Sequence, residues 1–170
     1  MRRIIISIVL TLIASSIHAA PITWTLENVT FADGGTATGS FAFDSVTDTY
    51  SGISITTQGG DTVAFPGFSY TELFTEALST NLSLQTQTAD GGHGFGLKFD
   101  SALSDAGGII SIVTPDDVSV EINLGGPGTG FVRYIQSGTV SAIPVPAAVW
   151  LFGSALVGLG YFRKRVPYAP

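Results

Sequence analysis

Carboxylates are the groups with which this chain is best supplied for chemistry, with 13 Asp and Glu against seven Lys and Arg. Two carboxylates held roughly 5–10 Å apart across a cleft can hydrolyse a glycosidic bond. Asp100, Asp105, Asp116, Asp117 and Glu121 are numerous enough to supply such a pair. A domain this rich in acids offers pairs of that kind wherever its loops meet, so solvated loop charges are the favoured reading. Loop carboxylates also suit Ca2+, a hard cation that takes oxygen ligands. Asp33, Asp90, Asp116 and Asp117 are the candidate ligands, and Asp44 and Asp48 sit in similar polar settings. No EF-hand spacing is present, and aspartates that cap turns explain these positions at least as well. No cofactor is expected, and calcium is the one the sequence leaves open.

His93, in Asp90-Gly91-Gly92-His93-Gly94, is the only histidine outside the first 19 residues. One imidazole cannot make a histidine-based metal site. A Ser-His-Asp triad needs a nucleophile in a recognisable setting, and no Gly-x-Ser-x-Gly elbow occurs. His93 therefore reads as a polar loop residue. Cysteine is absent, which removes thiol catalysis and thiolate metal sites. No residue is assigned a catalytic role, and the expectation is a protein that is not an enzyme. Trp24, Tyr50, Phe65, Phe68, Tyr70 and Tyr134 could stack on sugar rings, although a domain of this size needs several of them inside.

The elements that would position these residues lie between two segments of different character. Residues 1–20, MRRIIISIVLTLIASSIHAA, place Arg2 and Arg3 before a short apolar core, Ile4 to Ile17, and close on small residues. That is the layout of a secretory signal peptide, with cleavage between Ala19 and Ala20 and the Sec translocon as the implied partner. The rest of a twin-arginine motif is missing. Residues 144–165 hold Pro144-Val145-Pro146-Ala147, an uncharged stretch through Phe162, and the basic cluster Arg163-Lys164-Arg165. Sixteen helical residues would rise about 24 Å, slightly short of the ~30 Å hydrocarbon core of a bilayer. The basic cluster should remain cytoplasmic, on the same side as Arg2 and Arg3. A permanent C-terminal anchor would have the same layout.

Residues 20–143 form the passenger, of single-domain size. Its only cations are Lys98 and Arg133, and all 13 acids fall within it, which leaves it at −11. Such a charge repels phosphate backbones and excludes nucleic acid as a partner.

Within it, Ile22-Thr23-Trp24-Thr25-Leu26 alternates strictly, whereas Val29 and Phe31 fall on the opposite parity, so a bulge near Glu27-Asn28 is required. Asp33-Gly34-Gly35 is a turn signal leading to Phe41 and Phe43 on one face. Ile53 and Ile55 follow in a third strand of an antiparallel meander. Ser69-Tyr70-Thr71-Glu72 fits a capping box, which predicts one short helix at about Thr71–Ser79, with a strand as the alternative. Leu82 and Leu84, then Phe95, Leu97 and Phe99, then Ile109–Val113 mark further strands. Val118, Val120, Ile122 and Leu124 alternate with Ser119, Glu121 and Asn123, as in a half-buried strand whose polar face meets water. Phe131–Ile143 is the last. The fold class expected is all-β, a single antiparallel β-sandwich or jelly-roll-like domain. A signal helix and a C-terminal transmembrane helix would flank it.

The string VPAAVWLFGSALVGLGYFRKR resembles the PEP-CTERM sorting signal in its Val-Pro-Leu-Pro-Ala variant. It departs in the preceding Ile143-Pro144 and in the short tail Val166–Pro170 (residues 166–170). ITWTLENVTFADGGTATGSFAFDSVTDTYSGISITT and RYIQSGTVSAIP are similar to the corresponding parts of passengers in that family. The resemblance implies an exosortase, a multi-pass membrane protease or transpeptidase, acting at Pro144–Ala147 in a Gram-negative envelope. It further implies a transient inner-membrane intermediate, then a place at the cell surface or in the biofilm matrix, where polysaccharide is the expected partner. The rival is a secreted glycan-active enzyme using two of the acids above.

Overall fold

The computed structural model describes residues 20–74, 79–115, 117–124 and 130–143. The signal segment 1–19, the sorting segment 144–165 and its tail, and Asp116 lie outside the described residues. What is described is all-β and antiparallel, in ten strands with no helix among the described residues.

β1 (Ile22–Phe31), β2 (Thr36–Asp44) and β3 (Thr49–Gln58) form the expected meander. β1 buries Trp24 and Leu26, then Val29 and Phe31. The change of parity falls where the sequence requires it, because the pairing registers break between Thr25 and Val29 and Asn28 takes a φ of 54°. Short β4 (Ser69–Tyr70) and β5 (Glu72–Leu73) follow, then β6 (Ser83–Gln87), β7 (His93–Lys98), β8 (Gly108–Ser111), β9 (Val120–Asn123) and the long β10 (Phe131–Ala142).

The pairing path runs β4-β3-β2-β1-β10-β9-β7-β6-β5, with β8 also on β10. Its two ends, β4 and β5, are neighbours in the chain, separated by Thr71 alone. The chain therefore steps across the seam of its own sheet, which curls into a nearly closed barrel. Closure hides the unpaired edges that an open sheet would offer to another chain.

Two expectations need correction. The helix at Thr71–Ser79 is absent where it can be judged: Glu72 and Leu73 pair with Gln87 and Thr86 as β5, and residues 75–78 lie outside the described set. Ladder partners on β6 satisfy more backbone groups here than a short isolated turn of helix would. The polar face of the strand around Glu121 does not meet water. Ser119 and Glu121 are fully buried, while Leu124, which opens the segment leading out of β9, is exposed.

The core is rich in aromatics, with Trp24, Phe41, Tyr70, Phe95, Leu84 and Leu97 among the fully buried side chains. Each such burial contributes roughly 1.5–3 kcal/mol.

Candidate functional site

The described polar cluster with the most connections lies inside the barrel, around a cross-strand pair. Glu121 on β9 sits opposite Arg133 on β10, and both side chains point inward. The Arg133 Nε donates to Glu121 Oε2 at 2.7 Å. Nη2 lies 2.7 Å from that same oxygen, but outside hydrogen-bond geometry. The guanidinium therefore grips one carboxylate oxygen rather than bridging both. The other, Oε1, accepts from Thr57 Oγ1 on β3 and from the Tyr70 hydroxyl on β4, each at 2.7 Å.

Arg133 reaches further with Nη1, which donates to Asp33 Oδ2 at 2.9 Å and to the Gly59 carbonyl at 3.0 Å. Its guanidinium carbon stands 4.0 Å from the centre of the Phe31 ring and 4.5 Å from that of Phe65. Desolvated stacking of this kind is worth about 2 kcal/mol per favourable ring. Gly35 leaves the room for it, since a Cβ there would lie 2.3 Å from Nη1. The cluster thus ties together β3, β4, β9, β10, the turn after β1 and the loop after β3.

Asp33 holds that turn and loop in place. Its Oδ1 accepts from the Gly35 N–H and its Oδ2 from the Asp61 N–H, both at 3.0 Å. Burial pushes its pKa up, but those N–H groups and the Arg133 guanidinium outweigh burial and hold it below the ordinary aspartate value. Tyr70 shifts the other way: burial, then the Glu121 charge, push its hydroxyl far above the tyrosine range, so it remains a donor.

A depressed carboxylate contributes stability that is present above its unfolded pKa and lost as pH falls through the folded one. The domain is therefore expected to keep its stability at pH values above 3.8, the ordinary aspartate value, and to lose it progressively below. Asp33→Asn should lower stability at neutral pH and flatten this acid limb. Urea melts at pH 7, 4 and 3 check it, and an unchanged slope in the variant would remove Asp33 as a cause.

The arrangement has no reactive face. Glu121 is fully buried and both its oxygens are engaged by protein donors, so it cannot serve a glycan as acid or nucleophile. Asp100, Asp105 and Asp117 are exposed. Asp90 is exposed as well, with Oδ1 accepting from the Thr88 hydroxyl at 2.5 Å and the Gly92 N–H at 3.0 Å. Those two donors hold its pKa below the ordinary value. Among the described residues no three His, Asp or Glu side chains are grouped as metal ligands would be. A cation at Asp33 would have to displace a guanidinium.

His93 is more than a loop residue. It opens β7, half-buried, with its ring stacked on Phe68 at 3.7 Å. Of the six aromatics nominated for sugar stacking, Trp24, Tyr50, Phe65 and Tyr70 are buried, and Phe68 is partly buried under His93. Tyr134 is exposed, and next to it on β10 so are Val132 and Phe131, a ring the sequence reading did not nominate.

Sequence reasoning missed the Glu121–Arg133 pair. The available signal was that Arg133 is one of only two cations in a domain carrying 13 acids, and that it stands inside a strand pattern.

The fold and this interior define a small all-β barrel-like domain with a closed ionic core. No family model, curated protein or solved structure matches the chain.

Proposed function

We propose that this chain is an exported, noncatalytic protein of a Gram-negative cell surface or biofilm matrix. It enters the Sec pathway through residues 1–19 and is held in the inner membrane by residues 147–162. An exosortase then processes it at Pro144-Val145-Pro146-Ala147. The passenger, in this reading a β-sandwich or jelly-roll-like module, organises envelope or matrix material.

The observation that carries the proposal is the ordered series of proline motif, uncharged stretch and basic cluster over residues 144–165. The fold is compatible with it. β1 starts and β10 ends as antiparallel neighbours, so both flanking segments leave the barrel at one end. The noncatalytic reading is supported by Glu121, the one inward-facing acid among the described members of the proposed catalytic set, being sealed in a salt bridge. Polysaccharide is the proposed partner, with the exposed ring of Tyr134 as its stacking surface. Calcium, if it binds, has Asp90 and Asp117 as its remaining described candidates.

Two prolines do not both fit a helix interior, so in this reading they would mark an extended recognition site before the membrane segment. Replacing both, Pro144→Ala with Pro146→Ala, is expected to abolish processing, so that unprocessed chain accumulates in the inner membrane. Immunoblots of membrane and medium fractions from an exosortase-bearing host check this. Normal release of the double variant would refute recognition at this motif.

A further inference from the structure

The strand directions place four of the exposed apolar side chains at the end of the barrel where β10 finishes. β10 descends to Ala142, and the ends of its neighbours are collected there. The β2–β3 turn carries Val46, 58 % exposed, and the turn into β6 carries Leu82, 46 % exposed. β8 begins at this end with Ile109, 77 % exposed, and Ile143 follows β10 at 91 %. The Tyr50 hydroxyl donates to the Thr80 carbonyl at 2.6 Å, which fastens the β6 turn beside the start of β3.

Chain reach then decides what this end can face. Ala142 is still paired with Gly108 and buried, and the uncharged stretch begins at Ala147. From Ile143 to Ala147 the chain spans at most about 14 Å. A bilayer's headgroup layer is roughly 5–7 Å deep on each side. A tether of that length keeps this end of the barrel within about 14 Å of the hydrocarbon boundary.

We propose that this end of the barrel rests on the lipid bilayer, with Val46, Leu82, Ile109 and Ile143 entering the headgroup layer; this depends on residues 147–162 being the membrane segment. The partner is the lipid surface itself. Four apolar side chains bind a membrane weakly alone, but the tether raises their effective concentration at its surface. Asp48, Asp100 and Asp105 are exposed at the same end and repel anionic headgroups, so the contact favours zwitterionic lipid.

The absence of cysteine allows clean single-site labelling. The full chain is placed in phosphatidylcholine vesicles holding a headgroup-level quencher lipid or, for the label at 154, a lipid with its quencher at the acyl-chain end. A fluorophore is attached in turn to Val46→Cys, Leu82→Cys, Ile109→Cys, Val63→Cys and Ser154→Cys. Val63, 94 % exposed in the loop after β3, marks the opposite end, and Ser154 reports insertion of the segment. The expected result is loss of emission at 46, 82, 109 and 154, with emission at 63 retained. Quenching at 154 but not at 46, 82 and 109 would overturn end-on docking and leave the anchor intact. Quenching at 63 as well would overturn the orientation. An unquenched 154 would remove the anchor and the docking proposal together.

Discussion

Arg133→Met is expected to lower the unfolding free energy by about 3–5 kcal/mol, the cost of removing one partner from a buried ion pair. Glu121 would keep its two hydroxyl donors but lose its counter-charge, at a site with no exposure to water. Asp33 would lose the donor that links its turn to β10. Methionine keeps much of the volume between Phe31 and Phe65, so the loss is electrostatic rather than a cavity. Domains of this size are stable by only about 5–15 kcal/mol, so the variant would sit near unfolding at ambient temperature. Adding Glu121→Gln should recover part of the loss. The amide removes the stranded charge and still offers Tyr70 and Thr57 an acceptor oxygen. Urea unfolding of the two single variants and the double variant measures the coupling. A cost below about 1 kcal/mol for Arg133→Met would mean the pair contributes little, as exposed pairs do.

Gly39→Ala is expected to cost about 3 kcal/mol, combining overpacking with an unfavourable backbone angle. Gly39 has a φ of 131°, and a Cβ there would lie 2.0 Å from the Ser54 carbonyl oxygen and 2.8 Å from the Ile55 Cα. Both are backbone atoms of the paired strand, so nothing can yield except the β2–β3 ladder. Gly52 is the matched control. It also has a positive φ, 56°, but a Cβ there would meet only the Ala42 Cβ, at 4.0 Å. Its Ala variant should lose only the 1–2 kcal/mol or so of the left-handed backbone penalty. Thermal melts of both check the contrast, and equal losses would show that crowding at Gly39 is relieved.

The contrast between β1 and β9 explains how far the sequence could be read. In β1 the apolar parity switches between Leu26 and Val29 while every inward residue stays apolar, so hydrophobic burial alone dictates the bulge at Asn28. In β9 the same rule misleads. Val120 and Ile122 look like the core face, yet Ser119 and Glu121 on the other face are buried too, Glu121 among partners from β3, β4 and β10. Those partners are 12 to 64 residues away in the chain. Around Arg133, apolar residues stand on both faces of the strand, so alternation could not orient it either. The proposed helix failed at Glu72 for a related reason. A local capping pattern competed with an antiparallel ladder to Gln87 on the next strand.

The candidate site divides in the same way. Asp33 was legible as a turn aspartate, because Asp-Gly-Gly is a local signal, and its two N–H contacts within the turn and the neighbouring loop are what such residues make. Its salt bridge to a residue 100 positions away was not. Among the aromatics, composition alone requires that most be buried, but which ring stays outside depends on strand parity in β10. That is why Tyr134, and not Trp24, faces solvent.

The central claim, export followed by C-terminal sorting, is tested most directly by intact-mass and terminal-peptide mass spectrometry of the protein recovered from the envelope and medium of its native host. The account predicts a mature chain that begins near Ala20 and ends within Pro144–Ala147. A mature chain that still carries Trp150 through Arg165 would contradict it, and would make this a permanently anchored membrane protein.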